Sequence, residues 1–273
     1  SPLVADAQFW SGWIKTTTET DPRGGVGELR AFLAAHPNHP QAATARRLIP
    51  QTLARSGDKA EQLEAYKTLM AQTPPTADAL YSAAQIATRL ERPRDREEAW
   101  KRLTTDFAED PLTRKLALDL ASTSFKQKNW KSAVTYATQA AKSDDNAVRS
   151  EAWLMVGESE LKQKRFAEAA KAFESVGAVP EIDSKVRFRA LAGLGLAREE
   201  QQSWKAALSA YETVVNRSPD ATLRDWARER VAAVKARMAK PDAPAAPKSS
   251  PNSTRPSSSG NGMKPAAKKD SRP

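Results

Sequence analysis

Five alanines recur along this chain at nearly constant intervals of 34, 34, 36 and 38 residues, and this repeat constrains the fold more than any other feature. The recurring residues are Ala65, Ala99, Ala133, Ala169 and Ala207. Twelve residues before each of them lie Leu53, Ala87, Ala121, Gly157 and Gly195, four of which are small. Four residues after each of them lie Leu69, Leu103, Ala137, Phe173 and Tyr211, most of which are bulky. Small residues let two antiparallel helices cross closely, and the bulky residues lie one helical turn further along the same face. Each unit therefore predicts a helical hairpin that packs on the next one.

Every unit of about 34 residues predicts the same order of helix, short polar turn and second helix. Prolines at or near the end of the second helix would stop it before the next unit begins, and they are Pro74, Pro75, Pro111, Pro180 and Pro219. In three units an aromatic residue stands at or just after the turn, at Trp130, Phe166 and Trp204. No alternating pattern and no Val/Ile-rich run indicates a strand. The sequence therefore predicts an all-α fold.

Two stretches contain the marked positions of a known repeat. The first has Trp153, Val156, Gly157, Phe166, Ala169 and Phe173, and the second has Leu191, Leu194, Gly195, Trp204, Ala207, Tyr211 and Pro219. Both resemble the tetratricopeptide repeat, and the resemblance covers roughly residues 24–219. It implies a right-handed superhelical solenoid of about five to six helical hairpins, which binds partner proteins in a groove lined by the first helix of each hairpin.

Composition and pattern divide the chain into four regions. We expect a capping helix and linker at residues 1–23, repeats at 24–220, a closing helix with one apolar stripe at 221–239, and a disordered tail at 240–273. The residues of this stripe are Leu223, Trp226, Ala227, Val231, Val234 and Met238. The tail is rich in Pro, Ser, Lys and Ala, and it holds about half of the net charge of +10. We interpret the glycines within Thr16–Gly27 as linker, and we expect Pro50 to kink or break its helix.

The family's groove positions can be carried onto three of the predicted first helices. They are Lys115, Leu118, Ser122 and Phe125, then Glu151, Leu154, Glu158 and Leu161, and finally Arg189, Ala192, Leu196 and Glu199. The alternative is that these are ordinary solvated or packing positions. Family members that grip a terminal carboxylate use Lys and Asn in this lining, and Glu158, at one of those places here, would repel such a ligand. A mixed apolar and charged groove is better suited to a helix or an extended peptide with apolar anchors.

Few residues in the sequence could support catalysis or metal binding. Cysteine is absent, and the two histidines, His36 and His39, lie three residues apart in a proline-rich turn without an acidic cluster close in sequence. Gly24, Gly25 and Gly27 follow no predicted strand and precede no Gly-Lys-Ser/Thr, so they do not indicate a phosphate-binding loop. We therefore expect no enzymatic activity, no cofactor, no metal site and no small-molecule substrate. We expect the tryptophans at the turns to pack rather than to stack on nucleic acid or glycan.

Our leading hypothesis is a protein-binding adaptor that organises a bacterial cell-envelope complex, in the periplasm or at the outer membrane. The segment Phe32–Ala42 resembles the inter-repeat turn of envelope tetratricopeptide proteins, including outer-membrane assembly lipoproteins and Tol-Pal-associated periplasmic factors. No run approaches the ~18 apolar residues of a membrane span. A start at Ser1 rather than Met leads us to expect a processed or trimmed product.

Two alternatives stay open. One is the accessory helical region of a peptidoglycan-active enzyme, such as a lytic transglycosylase, whose catalytic domain lies elsewhere. The other is a cytoplasmic regulator whose basic tail contacts nucleic acid or another polyanion.

Overall fold

The computed structural model describes residues 2–239, which form thirteen α-helices without a strand among them. The first six are α1 (Pro2–Thr17), α2 (Pro22–Ala35), α3 (Ala42–Ser56), α4 (Lys59–Met70), α5 (Ala77–Arg89) and α6 (Pro93–Asp106). The other seven are α7 (Pro111–Lys126), α8 (Trp130–Ala140), α9 (Asn146–Lys162), α10 (Phe166–Gly177), α11 (Ser184–Glu200), α12 (Trp204–Arg217) and α13 (Ala221–Ala239). The predicted all-α fold is confirmed for this part of the chain. The predicted disordered tail and its polyanion contact lie outside the described residues.

The helices pack as six antiparallel hairpins, each made of an odd-numbered helix and the even-numbered helix that follows it. From α1 to α11, each odd-numbered helix also contacts the next odd-numbered one, so the hairpins stack into the right-handed solenoid that the repeat implies. Within residues 2–239, no helix combines the length and the apolar composition needed to cross a membrane.

The five recurring alanines lie at the contacts within these hairpins. Each of them is at most 1% exposed, and the five residues one helical turn further along are at most 2% exposed. Because residues four apart share one face of a helix, both sets face the same packed side. The register deduced from the sequence is therefore the register of the core.

In the hairpins α9–α10 and α11–α12, an aromatic ring packs directly on a glycine. A Cβ on Gly157 would lie 2.5 Å from Cε1 of Phe173, and a Cβ on Gly195 would lie 2.3 Å from Cε1 of Tyr211. Neither distance leaves room for a methyl group beside a buried ring. The missing side chain therefore lets the ring of the second helix lie against the backbone of the first.

The glycine-rich linker expected near the N-terminus is wrong, because α2 begins at Pro22 and contains these glycines. Asp21 caps α2 by accepting a hydrogen bond from the backbone N–H of Gly24, and Pro22 occupies the first turn, where a missing N–H is tolerated. Gly25 lies where α1 crosses, and a Cβ there would be 2.9 Å from the carbonyl oxygen of Gly12. The first hairpin is therefore complete and begins with α1.

Pro50 does not break its helix, since α3 is continuous from Ala42 to Ser56, and the expected kink stays a prediction. A proline inside a helix removes one backbone donor and typically costs about 3 kcal/mol. Pro50 is buried, and its neighbours Ile49 and Leu53 belong to packed apolar clusters. Tertiary packing therefore holds the helix together through this position.

The last helix, α13, closes the C-terminal end of the stack. Ala227 and Val234 are buried against the last hairpin, and Leu223 and Trp226 pack beside them. Met238, the last residue of the apolar stripe predicted for this helix, is 43% exposed. The packed part of the stripe therefore ends at Val234.

Candidate functional site

A groove with a volume of about 840 Å³ opens along α9, α11 and the start of α13, and we call it the C-terminal groove. Its apolar lining consists of Phe125, Leu161, Phe166, Phe173, Ala192, Gly193, Leu196, Leu223 and Trp226. Its polar lining consists of Glu158, Lys162, Arg189, Glu200, Asp220 and Thr222. A concave surface of this size, mostly apolar with a few charged groups, is typical of a binding site.

Four of the helices that line the groove begin at an aspartate, and Asp110 caps α7 by accepting a hydrogen bond from the backbone N–H of Leu112. Asp145 and Asp183 each accept two hydrogen bonds from backbone N–H groups in the first turns of α9 and α11. Asp220 accepts one from the N–H of Leu223 in the first turn of α13, at 3.1 Å. Such caps satisfy backbone donors that have no partner inside the helix. They fix where each helix starts, and hence which of its residues face the groove.

Phe173 reaches the groove although it belongs to α10, the second helix of its hairpin. Its ring lies between Gly157 of α9 and Gly193 of α11, and a Cβ on Gly193 would be 2.4 Å from Cζ of the ring. The ring is 2% exposed and forms part of the core shared by these hairpins. Glycine on both neighbouring helices therefore allows one aromatic ring to support the floor of the groove.

A salt bridge links the two helices across the groove. Arg189 on α11 donates to Glu158 on α9 through Nη2 and Oε1, at 2.7 Å. The Arg189 side chain is 52% exposed and that of Glu158 is 28% exposed, so solvent screens the pair. The repulsion of a carboxylate ligand that the sequence suggested for Glu158 is therefore offset by its own partner. The pair adds no net charge to the groove.

Six of the carried-over positions line this groove, and they are Phe125, Glu158, Leu161, Arg189, Ala192 and Leu196. Leu154 is not among the lining residues, and it is buried in the core beside Phe173. Leu118 is partly buried against a cluster of alanines that includes Ala117 and Ala152. Ser122 and Glu151 are half-buried on α7 and α9, away from the groove. The groove thus uses the C-terminal parts of α7 and α9 rather than their full length.

Glu199 does not line the groove either, because two other side chains bind it. Tyr211 donates its hydroxyl hydrogen to Oε2 of Glu199 at 3.0 Å, and Arg230 of α13 donates to both carboxylate oxygens. The hydrogen bond and the charge of Glu199 hold the pKa of Arg230 above its usual value, and burial raises the pKa of the Tyr211 hydroxyl. Arg230 therefore stays charged, and the Tyr211 hydroxyl stays a donor at neutral pH. They attach the closing helix to the last hairpin.

Lys115 lies in a separate polar cluster between α5 and α7. Its Nζ is 5.7 Å from the ring centroid of Tyr81, within the range of a cation–π contact. The Tyr81 hydroxyl donates to Oδ2 of Asp119 at 3.2 Å and accepts from Nε2 of Gln85 at 2.8 Å. Burial raises the pKa of Tyr81 to about 12, so this hydroxyl stays a donor at neutral pH. The cluster satisfies its own polar groups and links two neighbouring hairpins.

The sequence pattern predicts other roles for four residues that line the C-terminal groove. It predicts that Phe166 packs at a turn, that Phe173 lies in the core, and that Leu223 and Trp226 belong to the apolar stripe of the closing helix. One signal could have identified Phe173 earlier. Gly193 stands two residues before the aligned Gly195, and an extra glycine in a first helix indicates that a large side chain from elsewhere approaches it.

The two histidines of the proline-rich turn contact neighbouring groups. Nε2 of His39 lies 3.5 Å from Oδ1 of Asp6, and its Nδ1 accepts a hydrogen bond from the N–H of Gln41. Both imidazole rings pack near the buried ring of Phe32. In the part of the chain that the structure describes, no group of three or more His, Asp or Glu side chains is arranged to hold a metal ion.

Solved structures with a similar fold share little sequence with this chain. A tetratricopeptide repeat protein from Parabacteroides merdae is 14% identical with a TM-score of 0.50, and the match covers 85% of this chain and 87% of that one. PilF from Pseudomonas aeruginosa is 14% identical with a TM-score of 0.46, covering 72% and 90%. PilW, a widely conserved type IV pilus biogenesis factor, is 12% identical with a TM-score of 0.48, covering 82% and 97%. At this low identity, the likeness to the Parabacteroides merdae protein shows the fold alone.

Family models describe the C-terminal half of the repeats. Residues 118–181 and residues 189–221 each match a tetratricopeptide repeat model. No curated protein matches the chain significantly. This fold typically serves as a non-catalytic scaffold for protein–protein interaction. The repeat register, the stacked hairpins and these matches agree that the chain contains tetratricopeptide repeats within residues 118–221.

Proposed function

We propose that this chain is a non-enzymatic adaptor that binds a partner protein by accepting an apolar segment of that partner in the C-terminal groove. The observation that supports this proposal is the convergence of apolar side chains from α7, α9, α10, α11 and α13 on one open groove. Apolar surface removed from water is the main source of affinity in such contacts.

The chemistry of the groove favours a helix or an extended peptide with apolar anchors. Phe125, Leu161, Leu196 and Trp226 offer apolar contact area. The charged groups are of both signs, and Arg189 and Glu158 neutralise each other. A ligand recognised mainly by its charge would find little net field here, whereas side chains spaced along one face of a helix can enter such a groove.

A photo-crosslinking amino acid in place of Leu196 tests this proposal, with the same label in place of Ala206 as a control. Leu196 lines the groove, whereas Ala206 is exposed on α12 outside it. In cells that contain the full chain, the label at the groove position should crosslink to a defined partner that the control position does not capture. Equal capture at both positions would argue against the groove.

Affinity measurements with the captured partner provide the second part of the test. We expect Leu196→Glu to weaken binding by about tenfold or more, because it places a charge on an apolar contact surface, and Ala206→Glu to stay within about twofold. Circular dichroism melting curves check that both variants fold. If deletion of residues 240–273 abolishes binding while Leu196→Glu has no effect, the groove is not the binding site.

The proposed setting is a bacterial cell-envelope complex, in the periplasm or at the outer membrane. Its support is the resemblance of the segment Phe32–Ala42 to the turns of envelope tetratricopeptide proteins. Fractionation of cells that express the tagged protein from its own gene tests this setting. Recovery with cytoplasmic markers alone would rule it out.

A further inference from the structure

Helix α1 has an apolar face on each of two sides, and only one of them is covered. Ala5 and Phe9 are buried against α2 and α3, with Gly12 close to Leu29 of α2. The opposite side carries residues that we call the α1 stripe, namely Leu3, Val4, Ala7, Trp10 and Ile14. Their exposed fractions are 77% for Leu3, 56% for Val4, 46% for Trp10 and 50% for Ile14. Of the five large apolar side chains exposed among the described residues, four are in this stripe.

The exposed side of α1 is free of charge. Asp6, at its margin, lies 3.5 Å from His39, and Lys15 forms a salt bridge with Glu28 of α2. The remaining exposed or half-exposed residues of this side are uncharged, although 28% of the chain is charged. A contiguous exposed patch that is apolar and uncharged is typical of a surface that becomes covered.

We propose that the α1 stripe is a self-association surface, on which the α1 helices of two copies of this chain pack antiparallel about a twofold axis. Leu3, Ala7, Trp10 and Ile14 follow the 4-3-4 spacing of a helix–helix seam. This spacing is unchanged when it is reversed, as an antiparallel pair with twofold symmetry requires. Leu3 then faces Ile14 of the second copy, and the small Ala7 faces the large Trp10.

Shape and charge at the stripe fit a second copy. Beside it a shallow groove of about 570 Å³ is lined in part by the small side chains of Ala7, Ser11 and Ala31, and it can accommodate the indole of Trp10 from the other copy. The stripe itself is uncharged, and Glu28, the one ionised residue that lines this groove, is already paired with Lys15. An anionic lipid surface, by contrast, attracts helices with free basic residues, and Lys15 beside the stripe is already paired with Glu28.

The area of the stripe indicates a weak and reversible dimer. Four large side chains that are about half exposed offer on the order of 400–500 Å² per copy, or about 900 Å² for the pair, which is below the ~1,200 Å² of stable specific interfaces. We therefore expect association in the micromolar range rather than an obligate dimer.

Sedimentation equilibrium of the full chain between about 5 and 500 µM tests the proposal. The unmodified chain should shift from monomer to dimer over this range, and Trp10→Lys should weaken the association by tenfold or more. Met238→Lys is the matched control, because it changes an equally exposed apolar residue at the other end of the solenoid. A monomer at every concentration, or a dimer that Trp10→Lys leaves unchanged, would overturn the proposal.

A charge-swap experiment tests the antiparallel register. Leu3→Glu and Ile14→Lys should each weaken the dimer, and the double variant should restore it, because each new carboxylate then faces a new ammonium group of the other copy. A parallel pair would place like charges opposite each other and would not recover.

Vesicles of phosphatidylcholine and phosphatidylglycerol test whether the stripe binds a membrane instead of a second copy. Binding of a monomeric chain to them, lost in Trp10→Lys, would assign the stripe to a membrane surface instead.

Discussion

The hairpins α9–α10 and α11–α12 at the C-terminal end and the hairpins α3–α4 and α5–α6 at the N-terminal end form the same fold from different residues. At corresponding positions the C-terminal pair has glycine against an aromatic ring, as in Gly157 with Phe173. The N-terminal pair has Leu53 with Leu69 and Ala87 with Leu103, all at most 2% exposed. Family models match the chain from residue 118 onwards. The fold therefore needs only that the combined volume of the paired residues fill the space between the helices.

The difference also affects the surface. Because Gly157 and Gly193 admit the ring of Phe173 between α9 and α11, an aromatic side chain of a second helix supports a groove formed mainly by first helices. At the corresponding positions, α4 and α6 have Leu69 and Leu103 instead of a ring. The four predictions below test this comparison, starting with the largest expected effect.

Phe173→Ala should lower the free energy of unfolding by about 3–5 kcal/mol, because it leaves a cavity between α9 and α11. Leu103→Ala, at the corresponding position of α6, should cost about 2–5 kcal/mol. Only Phe173→Ala should also weaken partner binding at the C-terminal groove, since Leu103 lies in a different core cluster. Urea unfolding and binding measurements separate the two effects. Equal loss of binding in both variants would contradict the role given to the ring.

Gly195→Ala should lower the free energy of unfolding by about 1–3 kcal/mol, because its Cβ would lie 2.3 Å from the buried ring of Tyr211. Gly27→Ala, in α2, is the matched control, since no atom lies within 4 Å of the added methyl group. The control should raise stability by about 0.5–1 kcal/mol through the better helix propensity of alanine. Thermal unfolding of both variants measures the contrast. If both gain stability, the close approach of Tyr211 is not required.

Lys164→Gly should raise the free energy of unfolding by up to about 1 kcal/mol. Lys164 lies two residues after the last residue of α9. Its φ of 59° is a left-handed conformation that glycine adopts without strain. The turn between α3 and α4 provides the comparison, because Gly57 has a φ of −71° and is needed for space, as its Cβ would lie 2.6 Å from the carbonyl oxygen of Leu53. Gly57→Ala should therefore destabilise the protein. Loss of stability in both variants would show that the lysine side chain matters more than its backbone.

Two carboxylates, Glu160 near the end of α9 and Asp58 at the start of α4, should make opposite contributions to the pH dependence of the free energy of unfolding. Burial raises the pKa of Glu160, although Arg165 pairs with it, so its contribution to stability is present below the usual carboxyl pKa and is lost as the pH rises through the raised pKa. The hydrogen bond from the N–H of Glu61 lowers the pKa of Asp58, so its contribution is present above the usual pKa and is lost as the pH falls.

At neutral pH we expect Glu160→Gln to be more stable than the parent chain and Asp58→Asn to be less stable. Both differences should shrink towards about pH 4, where the carboxylates of the parent take up protons. Urea unfolding at a series of pH values measures them. Differences of the same sign in the two variants at neutral pH would contradict the burial of Glu160 as the cause.

The positions carried over from the family resemblance have different surroundings in the structure, and the difference has one physical cause. Leu161 and Leu196 lie at the C-terminal groove, and helical periodicity fixes which residues share a face with them. Leu154 and Glu199 are on the same helices, yet one is in the core and the other binds Arg230 of α13. Their surroundings depend on how far the next hairpin is rotated, which a single helix does not encode.

The sequence by itself determined the repeat of helical hairpins, because a small residue followed one turn later by a bulky one recurs at a fixed interval and only stacked hairpins bury that pattern. Tertiary structure alone decided where that repeat starts and which side chains meet on its surface. It placed the glycines of α2 inside a helix through the cap at Asp21, and it brought Phe173 and Trp226 together in one groove from different helices. The reason is that local periodicity specifies the faces of each helix, whereas grooves and exposed stripes arise only from the packing between helices.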